Sequence, residues 1–471
     1  MSAARTTAEP APEDAARPLQ AARGAVSPEE LETPMESPEI PAGAADPDEQ
    51  LAQATYRTMP VPPVKIRAPQ AHEADVAVAE IAQLDQVAQL LDDAALSSWL
   101  GMPVRGRHLR VKPERSVVLA WERTDVDLTG GEPVDVDAEG PAHHGWTVIS
   151  RDQDKYAKSL ARAERVDQRL TVHQDEPVYR VSGSLWSDPA LARELLEARQ
   201  ALAETAGAEV PWRVLRYNPR RRVVAVVELD GGPHVVRVTA EPAAAQLETA
   251  DRWRRLGVPL EPVRPLGDRG TALLTPWWGQ GDLLEHPVES AAETAGTIVA
   301  ELHVRSGELG EAPDRVLDPD VAEAVHAIGL IAPWLGQRAD MLAEMISPLV
   351  EEAESAELVE LHGDLSPDQV LVSGDDGSRV RIIDLDRAGQ GPAMRDVGSW
   401  VASCRAADHV ELAEAFLRGY REITPIDEES LAAWEAYAHL RAALDPFRRR
   451  EENWPQKASR RISMAERSIH G

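Results

Sequence analysis

Cysteine is nearly missing from this chain: its 471 residues include one, Cys404. That excludes an internal disulfide and any cysteine-rich zinc site. A reducing compartment, the cytoplasm, is the expected location. Positive charge is also in deficit, with 50 Lys and Arg against 80 Asp and Glu and a net charge of −30. Nucleic-acid binders draw their affinity from Lys and Arg neutralising phosphates, so nucleic acid is not an expected partner. The acidic balance fits a cationic small-molecule acceptor, but plain solubility is the first explanation for it. No uninterrupted apolar run is long enough to span a bilayer. No basic stretch followed by an apolar core opens the sequence, so no signal peptide is expected. GxGxxG and Walker A phosphate loops are both absent.

At roughly 150 residues per domain the length predicts about three units. Residues 1–58 are rich in Ala, Pro, Glu and Asp and poor in large apolar side chains. Such a segment buries too little surface to offset its ordering entropy and reads as a disordered tail. A cap domain is expected over 59–206, a small β-rich lobe over 207–280 and a larger helical lobe over 281–471. The apolar spacing of Val78, Ile81, Leu84, Val87 and Leu91 predicts one helix across Val76 to Leu100. Further helices are predicted over Asp152–Val166, Pro189–Ala206 and Ala243–Leu256.

Two strand–turn–strand segments echo each other. In the first, Leu109-Arg110 precedes Pro113 and a Val-Val pair; in the second, Leu215-Arg216 precedes Pro219 and a Val-Val pair. Proline cannot donate to a ladder, so each marks a turn. The echo is either an internal repeat of a lobe or two independent hairpins.

The chemistry concentrates in Leu361-His-Gly-Asp-Leu-Ser-Pro-Asp-Gln-Val-Leu371 and Arg381-Ile-Ile-Asp-Leu-Asp386. Phosphoryl transfer needs a carboxylate to orient a hydroxyl and take its proton. Magnesium needs hard oxygen ligands. A hairpin reversing at Gly374–Gly377 would bring Asp364, Gln369 and Asp384 around one cavity. This His-Gly-Asp pattern, with Gln five residues on and a later Ile-Asp, resembles aminoglycoside phosphotransferases and the related choline, homoserine and maltose kinases. The resemblance covers about 210 to 450; the preceding region resembles the cap of maltokinase-like enzymes.

The resemblance implies an α+β, bilobal protein-kinase-like fold and transfer of the ATP γ-phosphate, with Mg2+, to a hydroxyl of a small molecule. It makes Asp364 the catalytic base and Gln369 and Asp384 the metal ligands. His362 and Asp396 would support the catalytic loop. The strand lysine of protein kinases is replaced by Arg237, with Glu248 as its expected helix partner. The turn carrying Asn218 and Arg220 would cover the phosphates, and Trp277 or Trp278 could stack on adenine. Asp386, Asp368 and Asp427–Glu429 are the carboxylates available for an ammonium-bearing acceptor. Trp400, Trp434 and Trp454 would either stack on a sugar or fill a core. The substitutions at 237 and 369 also fit a nucleotide-binding pseudokinase acting on a protein partner through cap or tail. A maltokinase-type sugar kinase is the other alternative.

Overall fold

In this computed structural model, residues 67–470 are described, except 85, 127–142, 176–177, 310–316, 318–319, 355–357 and 375–378. The expected tail and most of the turn at Gly374–Gly377 lie outside the described residues. Ile66–Gly471 forms one compact unit. The fold is α+β, with β-sheet in the first part and helices dominating the second.

The single helix expected over Val76–Leu100 is instead three: α1 (Ala71–Ala82), α2 (Val87–Leu90) and α3 (Asp93–Leu100). Gln83 and Gln86 adopt positive φ, 51° and 70°, and break the run. The buried Val78, Leu84, Val87 and Leu90 still form one apolar side, so the periodicity reported burial and missed the breaks. Asp92 caps α3 by accepting the Ala95 N–H at 2.7 Å.

A five-stranded antiparallel sheet follows: β1 (Val104–Lys112), β2 (Ser116–Arg123), β3 (His144–Ser150), β4 (Thr171–Asp175) and β5 (Val178–Ser184). Helix α4 (Gln153–Glu164) joins β3 to β4. After α5 (Ala192–Ala206) comes a second five-stranded sheet of β6 (Arg213–Asn218), β7 (Arg222–Leu229), β8 (Gly232–Thr239), β9 (Arg264–Leu266) and β10 (Ala272–Pro276). Helix α6 (Ala244–Arg255) joins β8 to β9.

The two sheets have one topology. Their orders are β1-β2-β3-β5-β4 and β6-β7-β8-β10-β9, each with its helix between the third and fourth strands. The turns match residue for residue: Lys112 pairs with Ser116 as Asn218 pairs with Arg222. Glu114 and Arg220, each directly after its proline, take φ of 59° and 62°. A bulge interrupts β1 between Arg107 and Leu109 and β6 between Val214 and Arg216. The echo in sequence is therefore a repeat in structure.

Helix α5 places Leu191, Leu195, Ala198 and Leu202 in one core with Val118, Trp146 and Val148 of the first sheet and Val223, Val236 and Val238 of the second. The helical part is built on α7 (Glu289–Arg305), α8 (Val321–Ile331), α9 (Gly336–Glu354), α10 (Met394–Ala406), α11 (Val410–Ile423), α12 (Glu428–Arg441), α13 (Asp445–Arg448) and α14 (Trp454–His470). Trp400, Trp434 and Trp454 are fully buried there, so they pack the core and offer no face to a sugar. Cys404 is buried among them. Among the described residues no helix is long and apolar enough to cross a membrane.

Candidate active site

Two short ladders carry the catalytic segment. β12 (Val359–Leu361) pairs with β15 (Gly389–Gly391), and β13 (Val370–Ser373), flanked by β11 (Gly281–Asp282), pairs antiparallel with β14 (Arg379–Ile382), Val370 opposite Ile382. The loop Leu361–Gln369 is held between them. Gly363 sits at φ 84°, and a Cβ there would lie 2.2 Å from the carbonyl oxygen of Arg387. The glycine of His-Gly-Asp is thus required twice, by its torsion and by close backbone approach.

Asp396 sits at the start of α10 and is 1% exposed. It accepts the backbone N–H of His362 at 2.6 Å and that of Gly363 at 2.8 Å. His303 from α7 lies 3.6 Å from the same carboxylate and bonds Tyr420 of α11 at 2.9 Å. Burial pushes the Asp396 carboxyl up, but His303, His362 and the backbone donor hold it below the ordinary range. Sequence reading missed Tyr420; its only signal was an aromatic at helical spacing from Phe416.

The buried His362 ring donates Nε2–H to the carbonyl of Ile383 at 2.8 Å and places Nδ1 3.2 Å from Asp364 Oδ1. Burial opposes its charge, yet contact with Asp364, the charge of Asp396 and the Ile383 carbonyl win, giving a pKa of about 9. His362 is therefore an imidazolium at neutral pH. The second Asp364 oxygen lies 3.4 Å from Arg387 Nε. The carboxylate is oriented from two sides while a third of its side chain stays open, at 32% exposure.

Asp384 follows β14 in the left-handed region, φ 62°, a conformation Asp tolerates better than most residues. Its Oδ1 meets Arg222 at 3.1 Å and Arg237 at 3.2 Å. Asp386 meets the same two arginines, Arg222 at 2.6 Å and Arg237 closer still. Burial pushes the Asp384 carboxyl up, and the two guanidiniums with His362 bring it below its ordinary value. The expected partnership of Arg237 with Glu248 is not formed. Glu248 is exposed on α6, whereas Arg237 points from β8 onto the two aspartates. The buried ion pair of α6 is instead Arg252 with Glu360 of β12, reinforced by Trp253 Nε1 on the same carboxylate at 3.0 Å.

Gln369 is buried, and its backbone carbonyl accepts the Ile383 N–H at 3.0 Å, which sets it beside Asp384. A carboxylate and a carboxamide oxygen are hard donors and fit magnesium, whose remaining positions go to phosphates and water. Among the described residues no three His, Cys, Asp or Glu side chains form a metal cluster.

Asn218 ends β6, and Arg220 occupies the β6–β7 turn. The carboxylates expected for an ammonium group are otherwise engaged. Asp386 is paired, Asp427 caps α12 through Glu429 and Ser430 N–H groups, and Asp368 accepts the Ser366 hydroxyl at 2.5 Å. Trp278 lies under Arg381 at 4.3 Å, while Trp277 is 41% exposed after β10.

Residues 213–440 match the sequence model of the phosphotransferase enzyme family. Just under half of the chain, from the second sheet to α12, carries the likeness to that family. The phosphotransferase match begins after the first sheet, so the resemblance of the cap to maltokinase-like enzymes has no match to rest on. No curated protein sequence matches the chain. Among solved structures it is similar to a spectinomycin phosphotransferase, at 10% identity over 58% of this chain and 98% of that one, TM-score 0.45. It is similar to a choline/ethanolamine kinase family protein from Mesorhizobium loti, at 16% identity over 59% and 95%, TM-score 0.43. A microcompartment-associated aminopropanol kinase gives 18% identity over 58% and 95%, TM-score 0.45.

Proposed function

We propose that this phosphotransferase moves the γ-phosphate of ATP to a hydroxyl of a small molecule. The observation that carries the reading is that His362 links Asp364, on the loop before β13, to Ile383 beside Asp384, while Gln369 and Asp384 flank one hairpin faced by Arg222 and Arg237 of the second sheet.

The acceptor hydroxyl lies against the open side of Asp364. Its oxygen forms a bond to the γ-phosphorus, the bond from that phosphorus to the β–γ bridging oxygen breaks, and ADP leaves. The hydroxyl proton passes to Asp364. Flanked by the His362 ring and the Arg387 guanidinium, Asp364 is aimed from two sides, and its main task is orientation. Magnesium held by Gln369 and Asp384 would neutralise charge on the phosphate oxygens. Arg222 and Arg237, which bridge the aspartates here, turn their donors to the phosphates, a geometry guanidinium suits.

Thermal unfolding with ATP, with and without magnesium, tests the reading. Ligand at 100 times its dissociation constant adds about 2.7 kcal/mol. A magnesium-dependent rise that Asp384→Asn removes supports the site. No shift at millimolar ATP makes the chain a non-catalytic member, the reading that the arginine-occupied Asp384 favours.

A further inference from the structure

The mouth of the cleft holds more positive charge than a nucleotide uses. Arg216 lies opposite Val224, and Val224 opposite Arg237; Arg222 stands two residues before Val224. Paired residues of an antiparallel sheet share a face, as do residues i and i+2. Arg216, Arg222 and Arg237 therefore project from one face toward the catalytic hairpin. Only Arg222 and Arg237 reach Asp384 and Asp386. Among the described residues, no carboxylate lies within 4 Å of Arg110, Arg216 or Arg221. Arg387 borders Asp364, its Nε 3.4 Å from the carboxylate and its side chain 46% exposed.

Arg110 of β1, opposite Val118, lies within electrostatic reach of Arg220 in the β6–β7 turn and of Arg448. β1 packs on α13, and Arg105 pairs with Glu452 at 3.3 Å. Arg448 and Arg449 at the end of α13 share the carboxylate of Asp445 at 3.2 and 3.8 Å, and Arg449 also lies 4.0 Å from Glu451. The fields of these groups overlap. Partial desolvation and then Arg220 and Arg448 depress Arg110; partial desolvation, Arg222 and Arg449 depress Arg216 against the pull of Asp384 and Asp368; partial desolvation, Arg110 and Arg387 depress Arg221. His108, between them, is driven to about 4, first by burial and then by Arg216, and stays neutral. A chain of net charge −30 has carboxylates to spare, yet Asp384 and Asp368 act on Arg216 only from beyond 4 Å. Arginine clusters of this kind receive phosphate.

We propose that the acceptor carries a phosphate group besides its reactive hydroxyl, and that Arg110, Arg216, Arg221 and Arg387 receive that phosphate. The proposal rests on the phosphotransferase reading and gives it a substrate class, phosphorylated polyols or sugars. It replaces the cationic acceptor that composition suggested.

The experiment is calorimetry on the full chain saturated with magnesium and the β,γ-imido analogue of ATP, which fills the γ-phosphate position. Inorganic phosphate, glucose 6-phosphate and glucose are titrated in turn. The two phosphates should bind, and glucose at least tenfold more weakly. With the analogue kept saturating, Arg110→Ala and Arg221→Ala should each weaken phosphate at least tenfold. Arg221 lies on an exposed turn, so its variant keeps the test valid if Arg110→Ala fails to fold. Equal affinity for glucose, no phosphate binding, or unchanged phosphate affinity in both variants overturns the proposal. If the analogue itself does not bind, the kinase reading fails separately. The same phosphate titration on the free chain then judges the subsite.

Discussion

Asp188 reaches across the chain to Arg220: Oδ2 accepts the Arg220 backbone N–H at 2.7 Å and the Tyr217 hydroxyl at 2.8 Å. Its other oxygen accepts the Ala190 N–H at 2.9 Å. Asp188 is fully buried and sits just before α5, so the segment between the two sheets pins the turn proposed to cover the phosphates. Protein kinases cover the phosphates with a glycine-rich loop; here a captured N–H at positive φ gives the turn one fixed shape.

Asp188→Asn keeps the volume but turns an amide N–H toward one of the three donors. An unsatisfied buried donor costs about 1–3 kcal/mol, so the variant should melt lower. The positioning role has its own readout: KM for ATP should rise roughly tenfold, equivalent to about 1.4 kcal/mol, with kcat little changed. Equal KM with a lower melting point would make Asp188 structural only. Tyr217→Phe, losing one donor, should fall between.

Asp364→Ala removes the group that aims the hydroxyl. Transfer should fall about 10²–10⁴-fold, the usual worth of a positioned general base, and the ATP-induced thermal shift should persist. Equal turnover by the variant would remove Asp364 from the chemistry.

His362 gives a pH dependence. Its folded pKa of about 9 lies above the ordinary 6.5. A raised pKa means that the folded form holds the proton more tightly, so the contribution is complete below pH 6.5. It is lost as pH climbs through 9. The full contribution is roughly 3 kcal/mol. Urea melts at pH 6.5 and 9.5 should therefore differ in the native chain. In His362→Asn the two melts should converge; an unchanged difference would place the proton elsewhere.

Arg237 and Asp386 can be tested as a pair. Arg237→Met leaves Asp384 and Asp386 with one guanidinium between them and should cost about 3–5 kcal/mol, as for a broken, largely buried pair. Asp386→Asn in that background should return part of the loss. The double-mutant cycle should give a coupling of about 0.5–3 kcal/mol by denaturant unfolding. Additive effects would mean that the bridge carries no interaction energy.

The sequence was most legible where local chemistry dictates structure. Pro113 and Pro219 marked both turns, and the spacing of Asp364, Gln369 and Asp384 implied the hairpin that β13 and β14 form. Breaks at Gln83 and Gln86 were invisible because nothing in glutamine demands positive φ. Arg237 was located, but its partners were not. Its choice between Glu248 on α6 and the aspartates after β14 depends on how α6 turns, and α6 is fixed by Arg252 and Trp253 on Glu360, more than 100 residues away in sequence. The bond from Asp188 to the turn was likewise beyond reach, since a buried lone aspartate has no periodic signature.

The shared topology of the two sheets makes the molecule its own chimera donor. In the first sheet Val118 takes the place of Val224 and pairs with Val148 where Val224 pairs with Arg237. One scaffold thus shows the same strand position as a charged cleft wall and as an apolar core wall. Grafting Lys112–Ser116 onto Asn218–Arg222 would exchange chemistry while keeping register, and would separate what the backbone supplies to phosphate binding from what the arginines add.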